Sequence, residues 1–156
     1  MSGKPASTRA SVVVKAPPQA VYAAFLDPAA LAEWLPPAGM TGKIHAFDAH
    51  VGGGYRMSLF YPPDERAFRG KTADNEDRVN VRFLELVSGR RIVEAVAFES
   101  DDAAFAGEMT VTATFAETAA GTEVTFLCEN LPPGLRPEDN EAGSRLSLLQ
   151  LARRFE

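Results

Sequence analysis

The order in which structure-forming patterns follow one another constrains this chain's fold more than any single motif. A short β-type run, Ser11-Val12-Val13-Val14-Lys15, leads into Ala16-Pro17-Pro18 and then into two short helical segments with no strand between them. The second ends on the only tryptophan, in Trp34-Leu35-Pro36-Pro37. From there the pattern is strand-like for roughly a hundred residues, and it closes on one helix from about Glu138 to Phe155. A strand, a helix pair, a long antiparallel meander and a terminal helix predict an α+β domain.

Local signals support each step. Val12 and Val14 share one face of the first run, while Arg9, Ser11 and Lys15 take the other. Pro17-Pro18 stops that strand and suits the first turn of a helix whose stripe is Val21 and Phe25, flanked by Tyr22 and Leu26. Asp27-Pro28 ends this helix and caps the next: Asp27 accepts an amide hydrogen bond and Pro28 takes the first helical position. Leu31, Trp34 and Leu35 form the second stripe.

Gly52-Gly53-Gly54 precedes the alternating run Tyr55 to Tyr61; without a following lysine and helix it reads as a tight turn or bulge and not a phosphate loop. Pro62 to Arg78 reads as an exposed polar excursion. Two hairpins follow: Val79–Val87 with Arg91–Glu99, and Glu108–Ala116 with Thr122–Cys128. Met109, Val111, Ala113 and Phe115 alternate with Thr110, Thr112 and Thr114, which places the threonines on a solvated convex face. In the last helix Leu148, Leu151, Ala152 and Phe155 form a stripe with Leu146 and Leu149 beside it. That apolar face is wider than a surface helix needs, as expected of a helix held inside a curved sheet.

These segments, taken in order, resemble the START-like (SRPBCC) superfamily, in the branch named for homologues of the activator of heat-shock protein 90 ATPase. The resemblance rests on the strand-helix-helix opening ending at Trp34 and on the hairpin Arg82 to Val93. It rests also on Gly107-Glu108-Met109-Thr110-Val111-Thr112 and on the final Asn140 to Ala152, and it spans nearly the whole chain. It implies the helix-grip fold, in which the sheet curves around the last helix and leaves a cavity between them. In two respects the chain is expected to depart from relatives: Ser144 follows Gly143 where many carry tryptophan, and the additional N-terminal domain of the chaperone activators is not expected.

At 156 residues the expectation is a single domain over 8–156 behind a flexible tail, 1–7. No apolar run approaches the ~20 residues of a bilayer span, and the N-terminus lacks a signal-peptide core, so a cytoplasmic location without membrane contact is expected. A net charge of −5 leaves no basic footprint for nucleic acid. Monomer and homodimer both remain open. The single cysteine, Cys128, excludes an internal disulfide and reads as a buried, inert thiol.

Candidate chemistry is sparse, and no cofactor is expected. His45 and His50, with Asp48 between them, have ligand types for a divalent ion, but their odd separation sends them to opposite faces of a strand, so no metal site is assigned. Alternation groups Glu94 with Ile92, Val96 and Phe98; it enters the cavity if that face is concave and is solvated if Val93, Ala95 and Ala97 face inward. Arg145 and Glu141 have the spacing of a surface ion pair, with a place at the cavity mouth as the alternative, and Glu108 is a weaker candidate.

The leading expectation is a module binding a small hydrophobic or aromatic ligand. Phe25, Trp34, Met57, Glu94, Phe98, Met109, Phe126 and Leu148 are its candidate ligand-binding residues. Trp34 is expected near an entrance, where its truncation would weaken binding more than stability. The alternatives are a cyclase- or hydrolase-type enzyme using Glu94 with Arg145, and a chaperone ATPase cofactor as the resemblance implies.

Overall fold

The computed structural model describes residues 6–37, 39–61, 76–100 and 102–156. It has the α+β helix-grip architecture. β1 (Thr8–Val14) is followed by α1 (Pro18–Phe25) and α2 (Pro28–Trp34). The meander is β2 (Thr41–Phe47), β3 (Gly54–Phe60), β4 (Glu76–Val87), β5 (Arg91–Phe98), β6 (Met109–Thr118) and β7 (Gly121–Glu129). The chain closes on α3 (Pro137–Arg154). All seven strands form one antiparallel sheet in the order β1-β7-β6-β5-β4-β3-β2.

The prolines and the aspartate act as their positions suggest. Pro28 starts α2 while Asp27 accepts the Ala29 amide at 3.1 Å. The triple glycine is a turn: the Gly52 amide donates to Phe83, and Gly54 lies so close to β4 that a Cβ there would sit 1.8 Å from the Val81 carbonyl oxygen. Only glycine fits that approach.

Three expectations change at the edges. The excursion ends earlier, because Glu76, Asp77 and Arg78 already belong to β4; its remaining part, 62–75, lies outside the described residues. Ala6, expected in the tail, accepts the Leu131 amide at 3.1 Å and packs on the core; residues 1–5 lie outside the described residues. Leu146 and Leu149 are exposed at 40% and 46%, so the face α3 buries is narrower than its leucines suggest and consists of Ser147, Leu148, Leu151 and Ala152.

Register explains the core. Directly opposed residues in an antiparallel sheet point the same way. One inward row is therefore Ala10, Phe126, Ala113, Ile92 and Leu86, and the next is Thr8, Cys128, Val111, Glu94 and Phe83. A third is Met109, Val96, Val81, Tyr55 and Phe47. Leu148 and Leu151 are fully buried in the same core as Val14, Phe25, Trp34 and Phe126. α3 is tied to the end of α2 by Gln150 Nε2 donating to the Trp34 carbonyl at 2.8 Å and by Ser147 donating to the Leu35 carbonyl. Among the described residues, no helix is long and apolar enough to cross a membrane.

Candidate functional site

The candidate site is the inward row through Glu94, with the N-terminal half of α3 beside its β1–β7 end. β5 places Glu94 on the face of Ile92 and Val96, both core residues, which resolves the two faces alternation left open in favour of the concave side. Its direct cross-strand neighbours are Phe83 and Val111. Among the described residues Glu94 has no hydrogen-bond or ion-pair partner, and no oxygen or nitrogen sealed from solvent lacks one. Its oxygens are therefore not fully sealed from solvent. Desolvation by burial pushes its carboxyl up to about 8.

Tyr55 approaches from β3. It is 8% exposed, its hydroxyl also has no partner among the described residues, and burial, then the nearby Glu94 charge, raises its phenol well above the ordinary value. The Tyr55 ring stacks on Phe47 at 5.4 Å and meets Phe83 at 5.9 Å. At the other end of the row the Thr8 hydroxyl donates to Asn140 of α3. Cys128 is buried, and desolvation raises its thiol, opposed by the polar side chains of Thr8, Ser144 and Asn140. A raised thiol is a poor nucleophile.

An unpaired carboxyl held this way makes stability depend on pH. The folded-state value near 8 exceeds the ordinary value of 4.5, so Glu94 keeps its proton in the folded state while the unfolded chain loses it. Its contribution is complete below about pH 4.5 and declines as pH rises, levelling off above 8. Glu94→Gln should remove that decline, gaining on the order of 3 kcal/mol over wild type between pH 4.5 and 7. Urea unfolding of both proteins across this range checks it; parallel stability curves would show that Glu94 is not desolvated.

The other site expectations divide. Met57 and Leu148 are fully buried, and Phe25, Met109 and Phe126 nearly so, while Phe98 keeps some exposure and packs on Phe105 at 5.9 Å. Trp34 does not sit at an entrance. It is 2% exposed, donates its indole N–H to the Ala24 carbonyl at 3.0 Å and packs on Phe25 at 4.6 Å, because α1 and α2 fold over it. Arg145 does not reach the row; it is exposed and pairs with Glu141 at 3.2 Å, as helical spacing alone dictates. Glu108 likewise pairs with Arg82 on the surface at 3.4 Å. His45 meets Ser58 at 2.8 Å and His50 meets Asp48, so the two histidines diverge. Among the described residues, no group of three or more His, Cys, Asp or Glu is placed to hold a metal.

Tyr55, Thr8, Asn140 and Ser144 were not singled out from sequence. A signal existed for two of them: Asn140 and Ser144 continue the Leu148–Leu151 stripe toward the start of α3, placing polar groups on its inward side.

A family model described as Activator of Hsp90 ATPase homolog 1-like protein matches residues 15–156. Among solved structures the chain is similar to protein CV1439 from Chromobacterium violaceum, at 38% identity and a TM-score of 0.84, with 96% of each chain covered. A protein from Rhodobacter sphaeroides is 18% identical with a TM-score of 0.76, the match covering 97% of this chain and 94% of that one. An AHSA1-like protein from Aeromonas hydrophila is 16% identical with a TM-score of 0.69, covering 96% and 91%. The latter two are likenesses of fold alone. No protein of curated function matches the chain.

Proposed function

Because the chain belongs to the family of Activator of Hsp90 ATPase homolog 1-like proteins, whose START-like fold is of the ligand-binding type, we propose that it binds a small hydrophobic molecule between the sheet and α3. The observation that carries this reading is the Glu94 row. An apolar wall of Phe83, Val96, Met109 and Val111 holds two polar side chains, Glu94 and Tyr55, whose oxygens meet no partner among the described residues and are not fully sealed from solvent. Apolar walls with a few convergent polar groups are the usual make-up of a small-molecule site. A carboxyl kept unpaired in such surroundings costs stability, and that cost is commonly found where a group serves binding or chemistry.

Met57, Phe25, Phe126 and Leu148 then form the packed floor, while Val111, Met109, Phe98 and Glu94 face the ligand. Native mass spectrometry and thermal-shift assays against lipids, polyketide-like compounds and aromatic compounds test this. The expected result is one-to-one complexes with raised melting temperature for at least one class. An experimental structure with a solid interior around Glu94 would overturn it.

An enzymatic reading draws on the same carboxyl, since a value near 8 suits a group that exchanges protons near neutral pH. It has lost Arg145 as its second member, and Glu94 alone orients no nucleophile. The chaperone-cofactor reading rests on the family description and draws no support from the Glu94 row.

A further inference from the structure

Glu94 is a charge-bearing group with no counter-ion among the described residues. Every lysine, arginine and histidine among the described residues is solvent-exposed. The arginines nearest in sequence are engaged on the surface, Arg82 with Glu108 and Arg91 with Glu85. Beside the carboxyl stands an aromatic cluster: Phe47 lies 5.4 Å from Tyr55 and 6.0 Å from Phe83, and Tyr55 lies 5.9 Å from Phe83. Phe83 is directly opposite Glu94 in the sheet, and the Glu94 charge is close enough to perturb the Tyr55 phenol. Ring faces are electron-rich and repel ligand oxygens presented to them, whereas they attract a cation. A carboxylate adjoining aromatic rings is thus complementary to an ammonium group.

We propose that the ligand is an amine on an apolar body, its ammonium seated at Glu94 beside Tyr55 and its body along Val96, Met109 and Val111. The inference rests on the small-molecule reading above and narrows its ligand class. Alkylamines hold their proton to about pH 10, so at pH 7 the ligand enters as an ammonium, the proton that burial keeps on Glu94 is released to solvent, and the resulting ion pair replaces an isolated acid. The ligand thereby supplies the counter-ion that no described residue does. A carboxylate ligand would bury its own charge beside electron-rich ring faces with no cation to pair it, and an alcohol would leave the aromatic cluster without a cation.

Three probes of one shape separate the possibilities: 4-phenylbutylamine, 4-phenylbutanol and 4-phenylbutanoate, titrated calorimetrically at pH 7 into wild type and Glu94→Gln. The amine is expected to bind at least tenfold more tightly than the alcohol, with the carboxylate weakest. Glu94→Gln, with its fold checked by circular dichroism, should shrink the amine-to-alcohol ratio to about threefold or less. If the alcohol binds as well as the amine, or the ratio survives in Glu94→Gln, the cation assignment is wrong while the small-molecule reading stands. If none of the three binds at millimolar concentration, both fail for ligands of this size.

Discussion

Trp34→Ala should destabilise the protein by about 3–5 kcal/mol, the range for removing a large aromatic from a packed interior. The indole is 2% exposed and contacts Phe25 and Phe126, with ring centroids 4.6 and 6.5 Å away. Its N–H satisfies the Ala24 carbonyl, and its own carbonyl accepts from Gln150 of α3. Truncation opens a cavity at the junction of α1, α2 and the sheet and leaves the Ala24 oxygen without its indole donor. Trp34→Phe should recover much of the packing but not the hydrogen bond. Urea denaturation of the two variants checks the order; equal losses would mean that the ring packing phenylalanine restores contributes nothing and that the lost indole hydrogen bond accounts for the whole effect.

Leu151→Ala should cost about 2–5 kcal/mol. Leu151 is wholly inaccessible, as is Leu148 one turn earlier, and both belong to the core that joins α3 to β1 and the helix pair. The loss should come without a matching change in ligand affinity, because Leu151 lies in the C-terminal half of α3, away from Asn140 and Ser144 at the polar end of the row. A fall in stability below about 1 kcal/mol, read from the same denaturation curves, would indicate that α3 does not pack as described.

Much of this fold was legible in the sequence because its punctuation is local. Pro17-Pro18, Asp27-Pro28 and the alternation from Met109 to Phe115 act within a few residues, and each forms the element its chemistry favours. Glu94 was legible up to a choice of face, since alternation grouped it with Ile92 and Val96 without saying which side was concave. Tyr55 was not, because its approach to Glu94 passes through the register of β3 on β4 and β4 on β5, and a slip of one residue in either would turn it away. Trp34 misled for a related reason: apolar periodicity marks a buried stripe but not whether it closes on other side chains or on a hollow. Arg145 was ambiguous only while the rotation of α3 was unknown, and the inward course of Leu148 and Leu151 fixes that rotation.

The central claim, that the Glu94 row borders usable space, is tested most directly by the unfolding free energy of Val111→Trp. Val111 is partly accessible, faces inward and stands directly opposite both Glu94 and Cys128. In a hollow, the indole occupies empty volume and stability should stay within about 1 kcal/mol of wild type, with the apolar area it buries offsetting local adjustment. In a solid core the added rings would force neighbours off their rotamers, and a loss of about 3 kcal/mol or more would contradict the account.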